Sequence, residues 1–193
     1  MNALTQEGEN PRTTRVRQII LRSAVELLAE HGANEVTASR IAQETGVART
    51  TIYRHWPDQS SLLLDTVNTV VSPHAPTVVT DDLAADLTTA LTNLRTRMTK
   101  RPFRQIFAAL LTYANHDRTF VAAQQRFVNG VLQQVHDILT AGIGRGELPA
   151  SLDIAESSAS LAGPLFHQHV MLQERITDDV IARTVHRFLA SCT

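Results

Sequence analysis

Between positions 48 and 56 the chain reads Ala48-Arg49-Thr50-Thr51-Ile52-Tyr53-Arg54-His55-Trp56. Ala48, Ile52 and Trp56 recur at i, i+4 and i+8, the spacing that puts three apolar side chains on one helix face. The other positions hold Arg49, Thr50, Thr51, Tyr53, Arg54 and His55, with no carboxylate among them. Arg49 pairs with Tyr53 and Thr50 with Arg54 along the exposed side, flanked by Thr51 and His55. This face suits a DNA major groove, whose floor offers base-edge donors and acceptors and whose walls are phosphate. Arg49, at the helix start, has the reach and bidentate geometry for a guanine edge. Tyrosine, threonine and histidine suit phosphate oxygens. The chemistry is recognition rather than turnover. No nucleophile–base pair, phosphate loop or paired-carboxylate motif stands out, and Asp81-Asp82 and Asp178-Asp179 fall at helix starts, where acids complement the dipole.

An element must hold that face in place. Upstream, Thr37 or Ser39 caps a helix that turns Ile41 and Ala42 inward and ends near Gly46. Glycine there accepts a positive φ that strains other residues. Two short helices meeting at such a turn form a helix-turn-helix. Before it, Val16, Ile19, Ile20, Ala24, Leu27 and Leu28 make one helical stripe that stops near His31-Gly32. After it, Pro57 ends the short helix and Asp58 caps a fourth, carrying Leu62, Leu63, Leu64, Val67 and Val70.

The run Ser72-Pro73-His74-Ala75-Pro76 breaks the helical pattern and marks an internal boundary. Further helices are predicted over 81–101, ended by Pro102, then over 103–115, 118–143, 152–174 and 177–191. The turn Gly144-Arg145-Gly146-Glu147-Leu148-Pro149 precedes the last two. Only 77–80 alternates, and there is no internal repeat. The fold class is all-α: an N-terminal three-helix helix-turn-helix domain followed by a C-terminal helical bundle for ligand binding and dimerisation. The expected divisions are a flexible arm over 1–14, a DNA-binding domain over 15–57 and the bundle over 58–193.

Of the 193 residues, 43% are hydrophobic and 19% charged, with a formal net charge of −1. This excludes collagen-like and largely disordered chains. The near-zero total hides an asymmetry. Residues 12–57 hold seven arginines against four glutamates, so a basic unit sits on an acidic remainder. Seventeen of the eighteen basic residues are arginine. No eighteen-residue apolar run marks a membrane span, and no apolar N-terminal stretch marks a signal peptide. Cys192 is the sole cysteine, so neither an internal disulfide nor a cysteine metal cluster forms. His136, His167, His169 and His186 lack the spacing of a metal site. The expectation is a cytoplasmic protein with no metal and no cofactor.

The segment 17–67 resembles the N-terminal domain of the TetR family of bacterial transcriptional regulators. The resemblance lies in Ile19-Ile20 through Ala24, Leu27-Leu28, His31-Gly32, Thr37, Ile41-Ala42, Gly46-Val47, Thr51-Ile52-Tyr53-Arg54-His55-Trp56-Pro57 and Leu62-Leu63. It implies a homodimeric repressor that reads a palindromic double-stranded operator with one helix-turn-helix per subunit. Carried onto this chain, it sends Arg49 and Thr50 toward bases, Thr51, Tyr53 and His55 toward phosphates, and makes Thr37 a phosphate contact. Two residues depart from the pattern: Trp56 replaces the usual phenylalanine, and Gln59 replaces a frequent phosphate-binding lysine. Arg12 and Arg15 are expected to compensate from the arm.

The resemblance also implies a small-molecule effector site in the C-terminal bundle. Its candidate lining is Met98, Phe103, Phe107, Leu110, Leu111, Tyr113, Phe127, Val131, Phe166 and His167. The same residues at helical spacing also suit plain core packing. The last two helices offer a dimer surface: Ala155, Ala159, Ala162 and Leu165 on one, Val180, Ile181, Val185, Phe188 and Leu189 on the other. Small residues allow close helix approach, and two such helices per subunit make a four-helix bundle across a two-fold axis. Packing inside the subunit is the alternative for this stripe, and Pro164 should interrupt its helix. At the level of function, the alternative is a helical protein–protein adaptor without sequence-specific DNA binding.

Overall fold

Stripes of apolar residues at three- and four-residue spacing, punctuated by capping residues, produce helices alone among the described residues. The computed structural model describes residues 11–70 and 77–192. The helices are α1 (Pro11–His31), α2 (Ala38–Thr45), α3 (Arg49–His55), α4 (Gln59–Val70), α5 (Leu83–Met98), α6 (Arg101–Ala114), α7 (Arg118–Gly144), α8 (Ile154–Phe166) and α9 (Asp178–Ser191). The alternating run 77–80 forms no strand.

Most starts are fixed by a side chain that accepts an otherwise orphaned N–H. Thr37 caps α2, Asp82 caps α5, Asp153 caps α8 and Thr177 caps α9. At α4, the Asp58 carboxylate accepts the Ser61 N–H at 2.7 Å. At α7, Asp117 accepts both the N–H and the hydroxyl of Thr119, and these bonds hold its carboxyl below the ordinary range.

Several boundaries differ from the sequence reading. α1 already begins at Pro11, so positions 11–14 are helical rather than part of an arm, while 1–10 lie outside the described residues. α5 stops at Met98 with Thr99 as its C-cap, and Pro102 sits in the first turn of α6. Proline is tolerated there because first-turn N–H groups have no partner within the helix. α8 does not run to Glu174. Three residues after Pro164 it gives way to a π-helical turn over His167–Met171, closed by the Leu172 N–H on the His167 carbonyl at 3.1 Å.

The chain forms two compact units. Among the described residues, the first comprises 11–70 and Gln105–Ala123, with Ile20, Leu27, Leu28, Ile41, Ile52, Leu62, Leu63 and Phe120 all fully buried. α4 packs along α1 in this unit. The second comprises Ser72–Arg104 and Gln124–Thr193, where α5, α8 and α9 pack together around Leu87, Leu91, Leu161, Leu165 and Ile181. The units therefore divide the chain elsewhere than at 57/58: α4 and residues 105–123 group with the helix-turn-helix.

Candidate nucleic-acid interface

The turn between α2 and α3 is built from four residues. Gly46 has φ 72° and ψ 3°, and its N–H bonds the Ala42 carbonyl at 3.0 Å. A Cβ at Gly46 would meet nothing within 4 Å, so glycine is required by conformation and not by space. Thr45 donates its hydroxyl to the Ile41 carbonyl at 2.7 Å and accepts the Val47 N–H at 3.3 Å. Ala48 follows in extended conformation as the N-cap of α3.

Ile52 is fully buried and Trp56 is 3% exposed, which anchors the inner side of α3. Ala48 does not join them. It is exposed because its backbone lies outside the helix, so the expected three-residue apolar face shrinks to two. Arg49, Thr50, Tyr53 and Arg54 are exposed, with Tyr53 at 51%. Thr51 is half-buried. His55 is also half-buried, its ring 5.5 Å from the Trp56 ring, and its Nε2 is buried without a hydrogen-bond partner. The expected His55 phosphate contact is thus restricted to Nδ1, because the ring packs against its neighbour.

Thr37 and Arg49 come together across a hollow of about 530 Å³, lined also by Glu35, Ser39, Arg40, Ala42 and Gln43. The sequence reading did not single out Ser39, Arg40 or Gln43 for this face. The i, i+4 spacing of Ser39 and Gln43 on α2 was the available signal. The one carboxylate of α2 is occupied: Glu44 binds Arg40 Nε at 3.2 Å and the Ser23 hydroxyl of α1 at 2.9 Å. Arg15 is exposed on α1, and the side chain of Arg12 lies outside the described residues. Gln59 donates to the carbonyls of Ala33 and Asn34 at 3.3 and 3.4 Å, so it pins the α1–α2 connection.

The candidate effector lining is dispersed. Met98, Phe103, Phe127 and Val131 are buried in the second unit, with the Phe103 ring 5.2 Å from Phe127 and 6.1 Å from the half-buried Phe166. Apolar rings at this spacing pack on one another. His167 in this unit is exposed. Phe107, Leu110, Leu111 and Tyr113 belong to the first unit. There Leu110 is fully buried, Leu111 is exposed and Tyr113 stacks on Phe120 at 5.0 Å.

The candidate dimer residues also separate. Ala162, Leu165, Ile181, Val185 and Phe188 are buried within the chain itself, where α8 and α9 pack on each other and on α5. Ala162, Leu165, Ile181 and Val185 are thus core in the single chain, while Phe188 also lines the outer groove. Ala155 and Ala159 are exposed, and Val180 and Leu189 are half-buried. A groove of about 450 Å³ runs along the outer side of α8 and α9, lined by Ser160, Pro164, Val180, Arg183, Thr184 and Arg187 among others.

Residues 20–66 match the family model described as bacterial regulatory proteins, tetR family. Residues 79–188 match that of the tetracyclin repressor-like C-terminal domain. The HTH-type transcriptional regulator YdeS of Bacillus subtilis (strain 168) is 27% identical over 171 residues, spanning 89% of this chain and 86% of that protein. The crystal structure of the TetR family transcription regulator SCO0332 superposes with a TM-score of 0.66 at 25% identity, covering 93% of this chain and 99% of that one. FadR from Bacillus subtilis, in complex with stearoyl-CoA, superposes with a TM-score of 0.59 at 19% identity over 92% and 99% of the two chains, a likeness of fold.

Proposed function

The chain belongs to the TetR family of bacterial transcriptional regulators, and from that premise we propose that it is a cytoplasmic, homodimeric, ligand-responsive repressor of a palindromic operator. It is a helix-turn-helix DNA-binding regulator and not an enzyme. Among the described residues, no helix is long and apolar enough to cross a membrane.

The observation that carries the proposal is the outer face of α3. Arg49, Thr50, Tyr53 and Arg54 stand exposed with no acid among them, on a helix held by a glycine turn and two buried anchors. Arg49 and Thr50 read bases in this account. Thr37, Thr51, Tyr53, Arg54 and His55 Nδ1 hold phosphates, and Arg12 and Arg15 add charge from the start of α1. Residues 15–57 do the reading, and the bundle beyond them dimerises and binds the effector. The exposed alanines of α8 and the outer groove of α8 and α9 are the surface offered to a second subunit. Two recognition helices must then stand one helical turn, roughly 34 Å, apart. An effector that binds better at another spacing shifts the population off DNA, with a coupling on the order of 1–3 kcal/mol. α4 is the lever in this account. The ligand-bound FadR supports an effector by likeness of fold.

Selection of binding sites from random duplex DNA tests the proposal. The expected result is enrichment of a palindrome, with affinity that falls steeply as salt rises through counterion release. No enrichment at low salt, from protein that is folded and dimeric, overturns it in favour of an adaptor.

A further inference from the structure

We infer that a charged cleft in the second unit is an effector site for a small organic acid that carries a hydroxyl or ammonium donor beside its carboxylate. The cleft, about 540 Å³, lies among the end of α5, the first turn of α6 and the connection from the π-helical turn to α9. Its lining includes Arg95, Arg104, His169, Glu174, Arg175 and Asp178.

The charges in the cleft are unevenly paired. Arg95 binds Asp178 at 2.6 Å and the Ile176 carbonyl at 3.4 Å, so its charge is answered within the fold. Arg104 reaches only the neutral side-chain oxygen of Gln173, at 3.4 Å. Neither Arg104 nor Arg175 forms an ion pair with a described residue. Each of these exposed guanidinium groups, without a carboxylate partner among the described residues, offers its own bidentate fork to an external carboxylate. Glu174 shares the lining, and Gln168 Nε2 meets it at 3.5 Å. A bare inorganic anion would leave Glu174 without a charged or donor partner from the ligand, whereas a ligand with a donor next to its acid group satisfies Glu174 as well. That mixture sets the ligand class.

Two further observations point to the same place. The Nε2 of His169, a residue that lines the cleft, is buried with no hydrogen-bond partner among the described residues, and buried polar groups are mostly paired in folded proteins. Gln173, whose side chain holds Arg104, has φ 58°, a region that residues other than glycine seldom adopt. Backbone in such a conformation persists where the surroundings enforce it, often at ligand clamps. It follows here on a π-helical turn, an element enriched at functional sites. The cleft, lined by charged residues, also differs in kind from the apolar lining expected from sequence.

The effect on DNA rests on the ligand-responsive reading above; the binding site itself does not. The experiment titrates the full-length protein with L-malate and L-glutamate, with succinate and sodium chloride as controls at matched ionic strength, by calorimetry and thermal melting. Saturable binding of malate or glutamate, at least tenfold tighter than succinate, is expected. Arg104→Gln and Arg175→Gln should each weaken it tenfold or more while leaving helix content and melting temperature without ligand unchanged. No saturable binding of any of the acids, or binding that survives both substitutions, overturns the site. Operator affinity is measured in parallel with and without the bound acid. Binding that leaves operator affinity unchanged keeps the site but removes the ligand-responsive reading, so the two failures are distinct.

Discussion

The indole Nε1–H of Trp56 donates to Oδ2 of Asp65 at 2.8 Å, and the same oxygen accepts Nη2 of Arg17 at 2.5 Å. One carboxylate thus joins the residue that ends α3 to both α4 and α1. The Arg17 guanidinium carbon lies 5.6 Å from the Trp56 ring centroid, which adds a cation–π contact. Phenylalanine, the usual family residue at this position, cannot make the Asp65 bond. The exchange therefore gives this chain a polar latch between its recognition helix and α4.

The two bonds to Asp65 should not be equal in energy. Arg17 and Asp65 side chains are 40% and 33% exposed, and ion pairs at such exposure contribute only about 0.2–1 kcal/mol. Trp56 is 3% exposed, and a hydrogen bond from a buried donor to a charged acceptor contributes about 1.5–3 kcal/mol. Double-mutant cycles in chemical denaturation should therefore give a larger coupling for Trp56→Phe with Asp65→Ala than for Arg17→Ala with Asp65→Ala. Trp56→Phe should also loosen α3 and lower operator affinity severalfold. Equal couplings would mean that the latch is an ordinary surface pair.

Gly46 gives a second test, of conformation alone. Its φ of 72° is left-handed, and an added Cβ would touch nothing within 4 Å. Gly46→Ala should therefore lose roughly 1–2 kcal/mol, the penalty of an L-residue in that region, with no steric addition. Thermal melting measures the loss. Gly144, which likewise has open space but ends α7 without a positive φ, should tolerate alanine with a much smaller change.

Much of this was legible in the sequence, because it depends on local chemistry. Asp82 and Thr177 stand just before apolar periodicity and cap the helices they were expected to open, and of the two candidates for α2, Thr37 rather than Ser39 is the cap. Gly46 was legible for the same reason. What failed depends on partners that periodicity does not name. Ile181, Val185 and Phe188 form a true apolar stripe, but a stripe does not say whether α5 and α8 or a second subunit covers it. Pro102 marks a boundary that can fall on either side of it, since proline both ends one helix and suits the first turn of the next. The Asp65 latch joins residues nine and 48 positions apart, and only the folded chain brings them to one oxygen.

Side chains on α3 should divide by the kind of loss they cause. Arg49 is exposed at the first position of α3, where a bidentate guanine contact contributes about 1–3 kcal/mol of discrimination. Arg49→Ala should relax the preferred base at one position of each half-site. Tyr53 is exposed one turn later, and Tyr53→Phe removes the hydroxyl proposed to bind phosphate, a contact without base information. It should weaken every sequence by a similar factor. Binding of each variant to a set of single-base operator changes separates these outcomes. An unchanged preference in Arg49→Ala would remove the base-contact assignment.

The surface of α8 can be tested by its two faces. Ala159 is exposed while Leu161, Ala162 and Leu165 are buried within the chain. An arginine at Ala159 would leave the subunit core untouched but place a charged chain on the face proposed to meet a second subunit. Charges are depleted from the cores of such interfaces because desolvating them is costly. Ala159→Arg should therefore keep its helix content and shift the dimer toward monomer by tenfold or more in dissociation constant, seen in sedimentation equilibrium. Ala162→Arg should instead unfold the unit, since its site has no route to water. If Ala159→Arg remains as dimeric as the parent protein, the dimer forms through another surface, and the half-site spacing must be set from there.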